Sequence, residues 1–87
     1  MKRQKVTVIN TTGLQLRAAD LICKTAMQYK SHITFEIGNL STNAKSVLGM
    51  LGAGVKRGDE LEFICEGEDE KEALKALVHL VESGLGE

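Results

Sequence analysis

Aromatic side chains are nearly absent from this sequence: Tyr29, Phe35 and Phe63 are the full set. The chain therefore offers no platform on which nucleic-acid bases could stack, and a net charge of −1 removes the basic footprint of a nucleic-acid binder. Cysteine is scarce as well. Cys23 and Cys65 stand far apart, in no CxxC spacing, and each falls on the apolar face of its segment. Buried reduced thiols are expected there, in preference to a disulfide or a metal site. No apolar run approaches the ~20 residues that span a bilayer, and no secretory leader pattern precedes the first element, so the cytoplasm is the expected location. His32 and His79 are isolated, without a partner at ligand spacing, and read as solvated or structural histidines. Nucleophile motifs, P-loop glycines and paired catalytic carboxylates are all missing. Neither an enzyme nor a cofactor is expected.

What is present is the composition of an ordinary globular protein, 43% hydrophobic and 26% charged over 87 residues. One domain covering residues 1–87 is expected, with no linker, repeat or low-complexity segment. A domain of this size buries about 60–65% of the surface its unfolded chain exposes, and its stability should be roughly 5–10 kcal/mol.

The elements follow from periodicity. Lys5 to Ile9 alternates at period two and reads as a strand, followed by the turn cluster Asn10-Thr11-Thr12-Gly13. From Arg17 to Tyr29, Ala19, Ile22, Cys23, Ala26 and Met27 recur at helical spacing and predict one buried stripe. Ile33, Phe35 and Ile37 make a second strand, Gly38-Asn39 turns the chain, and Leu40 to Thr42 pairs back as a third. Ser46 to Leu51 reads as a short helix stopped by Gly52 and Gly54. Leu61, Phe63 and Cys65 alternate with glutamates in a fourth strand. In the last helix Glu68, Asp69 and Glu70 favour the N-terminus, Ala73, Leu77, Leu80 and Val81 form the stripe with Leu74 and Val78 in support, and Gly84 caps the end. The order βαββαβα, with strands apolar on one side only, implies an α+β open-faced sandwich. A four-stranded antiparallel sheet is covered on one face by three helices.

Three segments could carry chemistry. Gln15 and Leu16 offer no good capping side chain at the first helix, so its open N–H groups and Arg17 could hold an anion; a solvated, weakly capped helix start explains the same residues. Ser46 opens the short helix, which fits ordinary capping and also fits a phosphorylation site, because a dianion is favoured at a helix N-terminus. Val47, Leu48, Met50 and Leu51 cannot all be buried by so short a helix; either some face a partner, or Val47, Met50 and Leu51 are simply core.

Several stretches together resemble the HPr family of the phosphotransferase system, in its Gram-positive form. They are Thr12-Gly13-Leu14 with Arg17, Asn43-Ala44-Lys45-Ser46, Gly58-Asp59-Glu60, Gly67-Glu68-Asp69-Glu70 and the closing Leu80 to Leu85, and they span essentially the whole chain. The resemblance implies that family's open-faced sandwich. The family passes a phosphoryl group from enzyme I to IIA components through a histidine in Thr-Gly-Leu-His-Ala-Arg-Pro. Here the stretch reads Thr12-Gly13-Leu14-Gln15-Leu16-Arg17-Ala18, and a neutral amide cannot serve as that nucleophile. Glutamine at this position with Ser46 retained resembles the Crh-like, catabolite-repression branch.

That likeness implies phosphorylation of Ser46 by HPr kinase/phosphorylase with ATP, and binding of the phosphorylated form to catabolite control protein A as corepressor in carbon catabolite repression. Gln15, Arg17, Asp20, Lys24, Val47, Leu48 and Leu51 match positions where the family docks its partners, Asp20 replacing a usual small apolar residue. The alternative is a divergent phosphotransferase-system component that docks to enzyme I or IIA components without phosphoryl transfer.

Overall fold

The strands owe their one-sidedness to alternation. In β4 (Glu60–Glu66) Leu61, Phe63 and Cys65 point to one side and are buried, while Glu62 and Ile64 stand half-exposed on the other. In β2 (His32–Ile37) Ile33 and Phe35 are buried in the same way. The computed structural model, which describes all 87 residues, sets these two strands side by side at the centre of an antiparallel sheet. β3 (Leu40–Asn43) lies outside β2 and β1 (Lys2–Thr7) outside β4, giving the order β1-β4-β2-β3. The register places Phe35 opposite Phe63, with ring centroids 5.9 Å apart and planes at 74°, an edge-to-face contact.

β1 and β2 both run antiparallel to β4, so they are parallel to each other. Parallel strands cannot be joined by a tight turn, and α1 (Leu16–Ala26) supplies the crossover. Its buried face is Ala18, Ala19, Ile22 and Ala26. α3 (Glu70–Glu82) buries Ala73, Leu77, Val78 and Val81 over β1 and β4, and α1 packs against both α3 and the short α2 (Val47–Leu51). Twenty apolar residues form one core between the helices and the single covered face of the sheet. The expected architecture is the one found.

Element details differ from the sequence reading for identifiable reasons. β1 starts at Lys2 because its ladder with β4 extends to the pair Lys2–Cys65, beyond the apolar alternation. It stops at Thr7, so Ile9 falls outside the strand and is 51% exposed. Val8 stays buried, pinned by Val8 N–H to Asp59 O at 2.9 Å and Gly58 N–H to Val8 O at 2.8 Å. α1 ends at Ala26, because Gln28 and Tyr29 donate to Thr25 and Ala26, three residues back, and tighten the chain into a turn. Met27 is therefore not on the buried stripe but 64% exposed, and Cys23 is half-buried, its thiol directed to Lys45 O at 3.3 Å. In α3 Val78 is buried, at 7% exposure, while Leu80 is half-buried.

The end of α3 is a complete Schellman motif, with Leu85 N–H on Leu80 O at 3.1 Å and Gly84 N–H on Val81 O at 3.1 Å. Gly84 takes φ +93°, a value that side chains resist.

Replacing Phe63 by alanine removes the centre of the core and should cost about 3–5 kcal/mol, a large share of the whole stability. Urea denaturation should show the midpoint of Phe63→Ala collapsing towards zero denaturant, whereas a loss below about 1 kcal/mol would mean that the Phe35–Phe63 pair is not the centre of the core.

Candidate functional site

Two helix starts carry the candidate residues: α1 begins at Gln15, and α2 begins at Ser46, beside the C-terminal end of α1. The first is built by the Asn10–Gly13 turn. Gly13 sits at φ +66°, and a Cβ there would lie 2.6 Å from Val55 O, so only glycine lets the turn pack against that carbonyl, which accepts the next N–H, from Leu14, at 3.0 Å. The turn delivers Gln15 as the N-cap of α1 in extended backbone, with no hydrogen bond from its side chain to the helix. The first helical bond runs from Ala19 N–H to Gln15 O, which leaves the N–H groups of Leu16, Arg17 and Ala18 without helical acceptors. Gln15, Leu16 and Arg17 are all exposed. Arg17 takes part in no ion pair or side-chain hydrogen bond. A 370 Å³ pocket beside it is lined by Asn10, Thr12, Gln15, Arg17 and the segment Leu85 to Glu87.

The second start is Ser46, the N-cap of α2, whose hydroxyl oxygen accepts the Gly49 N–H at 3.2 Å. Ser46 is half-exposed. Lys45 anchors the approach: its ammonium donates to Tyr29 O at 2.9 Å, its N–H to Asn43 Oδ1 at 2.8 Å, and its carbonyl accepts the Cys23 thiol. The chain just before Ser46 is thus tied to the C-terminal end of α1. Gly49 is required by packing, since a Cβ there would sit 2.1 Å from the Thr42 hydroxyl of β3.

The two readings of the apolar run after Ser46 resolve residue by residue. Met50 is core; Leu48 is 81% exposed; Val47 and Leu51 are half-buried. On α1, Asp20 pairs with Lys24 at 2.9 Å one turn on, and its hydrogen bond, followed by its charge, raises the Lys24 pKa. Arg17, Asp20 and Lys24 therefore share the outer face of α1, with exposed Leu16 on the same helix and exposed Met27 at its C-cap. Sequence reasoning passed over Leu16 as a surface residue and misassigned Met27. Helical spacing alone does carry the signal, because both fall outside the arc of Ala18, Ile22 and Ala26.

A further group escaped the sequence reading altogether. The Glu87 carboxylate accepts the Thr11 N–H at 3.0 Å and hydroxyl at 2.5 Å on one oxygen, and the Thr12 N–H at 3.3 Å and hydroxyl at 3.1 Å on the other. No local pattern joins residues so far apart in the chain. These donors, the Thr11 hydroxyl foremost, pull the Glu87 pKa down from 4.5 to about 2.

His32 and His79 are both exposed and lie on β2 and α3, outside either helix start. Cys65 is buried at the sheet, and burial pushes its thiol up to about 11, so it is inert at neutral pH. No group of three or more His, Cys, Asp or Glu side chains is arranged to hold a metal, and no helix is long and apolar enough to cross a membrane.

A family profile described as "PTS HPr component phosphorylation site" matches residues 2–83. The HPr-like protein Crh of Bacillus subtilis is 40% identical over 82 residues, covering 94% of this chain and 96% of that protein. The phosphocarrier protein HPr of Neisseria meningitidis is 33% identical over 87 residues, covering 100% and 98%. Among solved structures, HPr-C-His from Thermoanaerobacter tengcongensis superposes with a TM-score of 0.96 at 44% identity, over 100% of this chain and 98% of that one. The crystal structure of Bacillus subtilis Crh gives 0.77 at 39%, over 97% of each chain.

Two outcomes check this geometry. Gly49→Ala should cost about 1–3 kcal/mol through the clash with Thr42, read as a lowered denaturation midpoint; an unchanged midpoint would show that β3 and α2 are not in contact there. The second concerns Glu87. Its pKa is depressed in the folded state, so its hold on the turn is fully present above the ordinary 4.5 and is lost as pH falls through about 2. The side-chain carboxyl carbon should titrate in NMR with a midpoint near that lower value, together with the Thr11 and Thr12 amides; a midpoint at the ordinary value would mean that the contact does not form in solution.

Proposed function

Because this chain belongs to the HPr family, and to its Crh-like branch, we propose that it is a cytoplasmic regulatory protein switched by phosphorylation of Ser46. It does not carry phosphohistidine. HPr kinase/phosphorylase is the donor enzyme in this reading, and the phosphorylated form binds catabolite control protein A. The observation that carries it is the contrast between the two helix starts. Position 15 presents an amide, which has no nucleophilic nitrogen lone pair to take a phosphoryl group, while Ser46 presents a half-exposed hydroxyl beside the outward Leu48.

The physical action is local. A phosphoryl group adds about −1.5 to −2 charges at pH 7. Each charge-assisted hydrogen bond it makes to a partner's Arg or Lys contributes roughly 1.5–3 kcal/mol before desolvation. Leu48, with Val47 and Leu51 at its sides, supplies apolar contact next to that charge, and Gln15, Arg17, Asp20 and Lys24 extend the surface along α1. Losing the Ser46 hydroxyl costs only a cap, about 1 kcal/mol, so Ser46→Ala folds and reports on the switch alone.

The test is intact-mass measurement after incubation with two donors separately, HPr kinase/phosphorylase with ATP and enzyme I with phosphoenolpyruvate. One added phosphoryl group from ATP only, absent in Ser46→Ala, is the expected result. Label from phosphoenolpyruvate would overturn the reading of Gln15 and turn attention to His32 and His79. No label from either donor would sink the Ser46 switch and favour a component that docks to enzyme I or IIA components without phosphoryl transfer.

A further inference from the structure

We propose that the Thr11–Thr12 turn is a binding site for a small oxyanion, and that Glu87 is its intrachain occupant, a strap that keeps the site closed until a free anion displaces it. The receptor is complete in the folded chain. Two successive N–H groups and two hydroxyls converge on one carboxylate, one N–H and one hydroxyl to each oxygen. Two oxygens of a carboxylate, or one edge of a phosphate, fit such a set of donors.

The donors are oriented before any ligand arrives. Asn10 is 4% exposed, and its amide nitrogen donates to Gly13 O at 2.7 Å and to the Thr12 hydroxyl oxygen at 3.4 Å. With that oxygen already accepting, the single Thr12 hydroxyl proton is left to point outward at Glu87. The Asn10 side-chain oxygen, Oδ1, is itself buried without a partner, so the amide is held to serve the turn and not its own satisfaction. Arg17 lines the same pocket and is not neutralised by Glu87, since no ion pair joins them.

The strap releases at the Glu87 side chain. Leu85 is 3% exposed and anchors the segment in the core, Gly86 beyond it sits at φ +84°, and the Glu87 N–H donates to Gly84 O at 3.1 Å. Glu87 and its receptor are both exposed, so the carboxylate can leave without unfolding anything. So short a tether holds Glu87 at an effective concentration on the order of millimolar or above. A free anion must outcompete it.

The measurement is a titration of the folded protein with inorganic phosphate and, separately, with acetate at constant ionic strength, following the Thr11 and Thr12 amides by proton–nitrogen NMR. Glu87→Ala should show saturable shifts at both amides, and the unaltered chain should need about tenfold more anion for the same response. Saturation by phosphate, by acetate or by both supports the site and assigns its ligand. Amides in Glu87→Ala that never saturate, or curves that coincide with those of the unaltered chain, would overturn the proposal. Adding Thr12→Val to Glu87→Ala removes one donor and should weaken the anion severalfold; unchanged binding would place the anion elsewhere and overturn it too. Core amide shifts that match the unaltered chain confirm that each variant is folded.

Discussion

A sheet covered on one side only makes the Phe35–Phe63 contact the constraint on which the other elements depend. The two rings meet edge to face across the central strands, and both are fully buried. Shifting either strand by one residue would turn its whole apolar set to water and its glutamates to the core. With the register fixed, β1 must lie parallel to β2 on the far side of β4. The link between them has to cross the covered face, and α1 makes that crossing with alanines turned inward. α3 follows β4 back across the same face and packs on α1. The outer face is left to water and is stitched by charge. Arg3 on β1 makes a bidentate pair with Glu62 on β4 at 2.9 and 3.0 Å and lies 3.8 Å from Glu36 on β2. That hydrogen bond lowers the Glu62 pKa and raises that of Arg3.

Carboxylates then fix the places where one element hands over to the next. Asp69 stands at the N-cap of α3 yet does not cap it. Its oxygens accept the N–H groups of Lys30 and Ser31 and the Ser31 hydroxyl, tying the α1–β2 corner to the start of α3 and lowering its own pKa, chiefly through the Ser31 bond. Glu87 does the same for the turn before α1. In both cases an acidic side chain serves backbone donors of a distant loop, which no helix or strand satisfies. The difference lies in what surrounds them. Ser31 is 1% exposed and closes off the Asp69 contact, whereas Thr11 and Thr12 face solvent beside an unpaired arginine. A similar device is structural at one corner and open to exchange at the other.

Legibility in the sequence followed the range of each interaction. β2, β4 and α3 announce themselves through alternation or helical spacing over successive residues, and the layered architecture follows from their order. The same local patterns located Gln15, Arg17 and Ser46 at helix starts. Tertiary detail was not legible. Nothing in Val47 to Leu51 says that Met50 turns inward and Leu48 outward, because five residues make too little helix for a stripe to declare its direction. Lys45 reads as an ordinary surface lysine, and its bond to the Tyr29 carbonyl exists only because the chain leaving β3 reaches the residues that follow α1. The β1 ladder runs past its apolar residues to Lys2 because backbone pairing with β4 needs no apolar side chain. Glu87 meets Thr11 and Thr12 only through the whole fold.

The proposed Ser46 switch would meet a particular arrangement of charge on its own chain. Three cations, Lys45 beside Ser46 and Lys24 and Arg17 along α1, differ in commitment. Lys45 is held by a backbone carbonyl, so its ammonium positions the loop and is not free to swing to a new anion without loosening it. Lys24 is paired with Asp20, but both groups are well exposed, and an exposed pair one helical turn apart is weak and screened by salt. Arg17 alone has no partner. A phosphoryl group on Ser46 would therefore find little fixed positive charge committed to it within its own chain. The dianion would remain available to cations on another molecule. Asp20 reinforces that bias, because its carboxylate offsets Lys24 and leaves the outer face of α1 less positive than its lysine and arginine alone would make it. A partner matched to this surface would carry the positive charge itself, together with an apolar patch to receive Leu48.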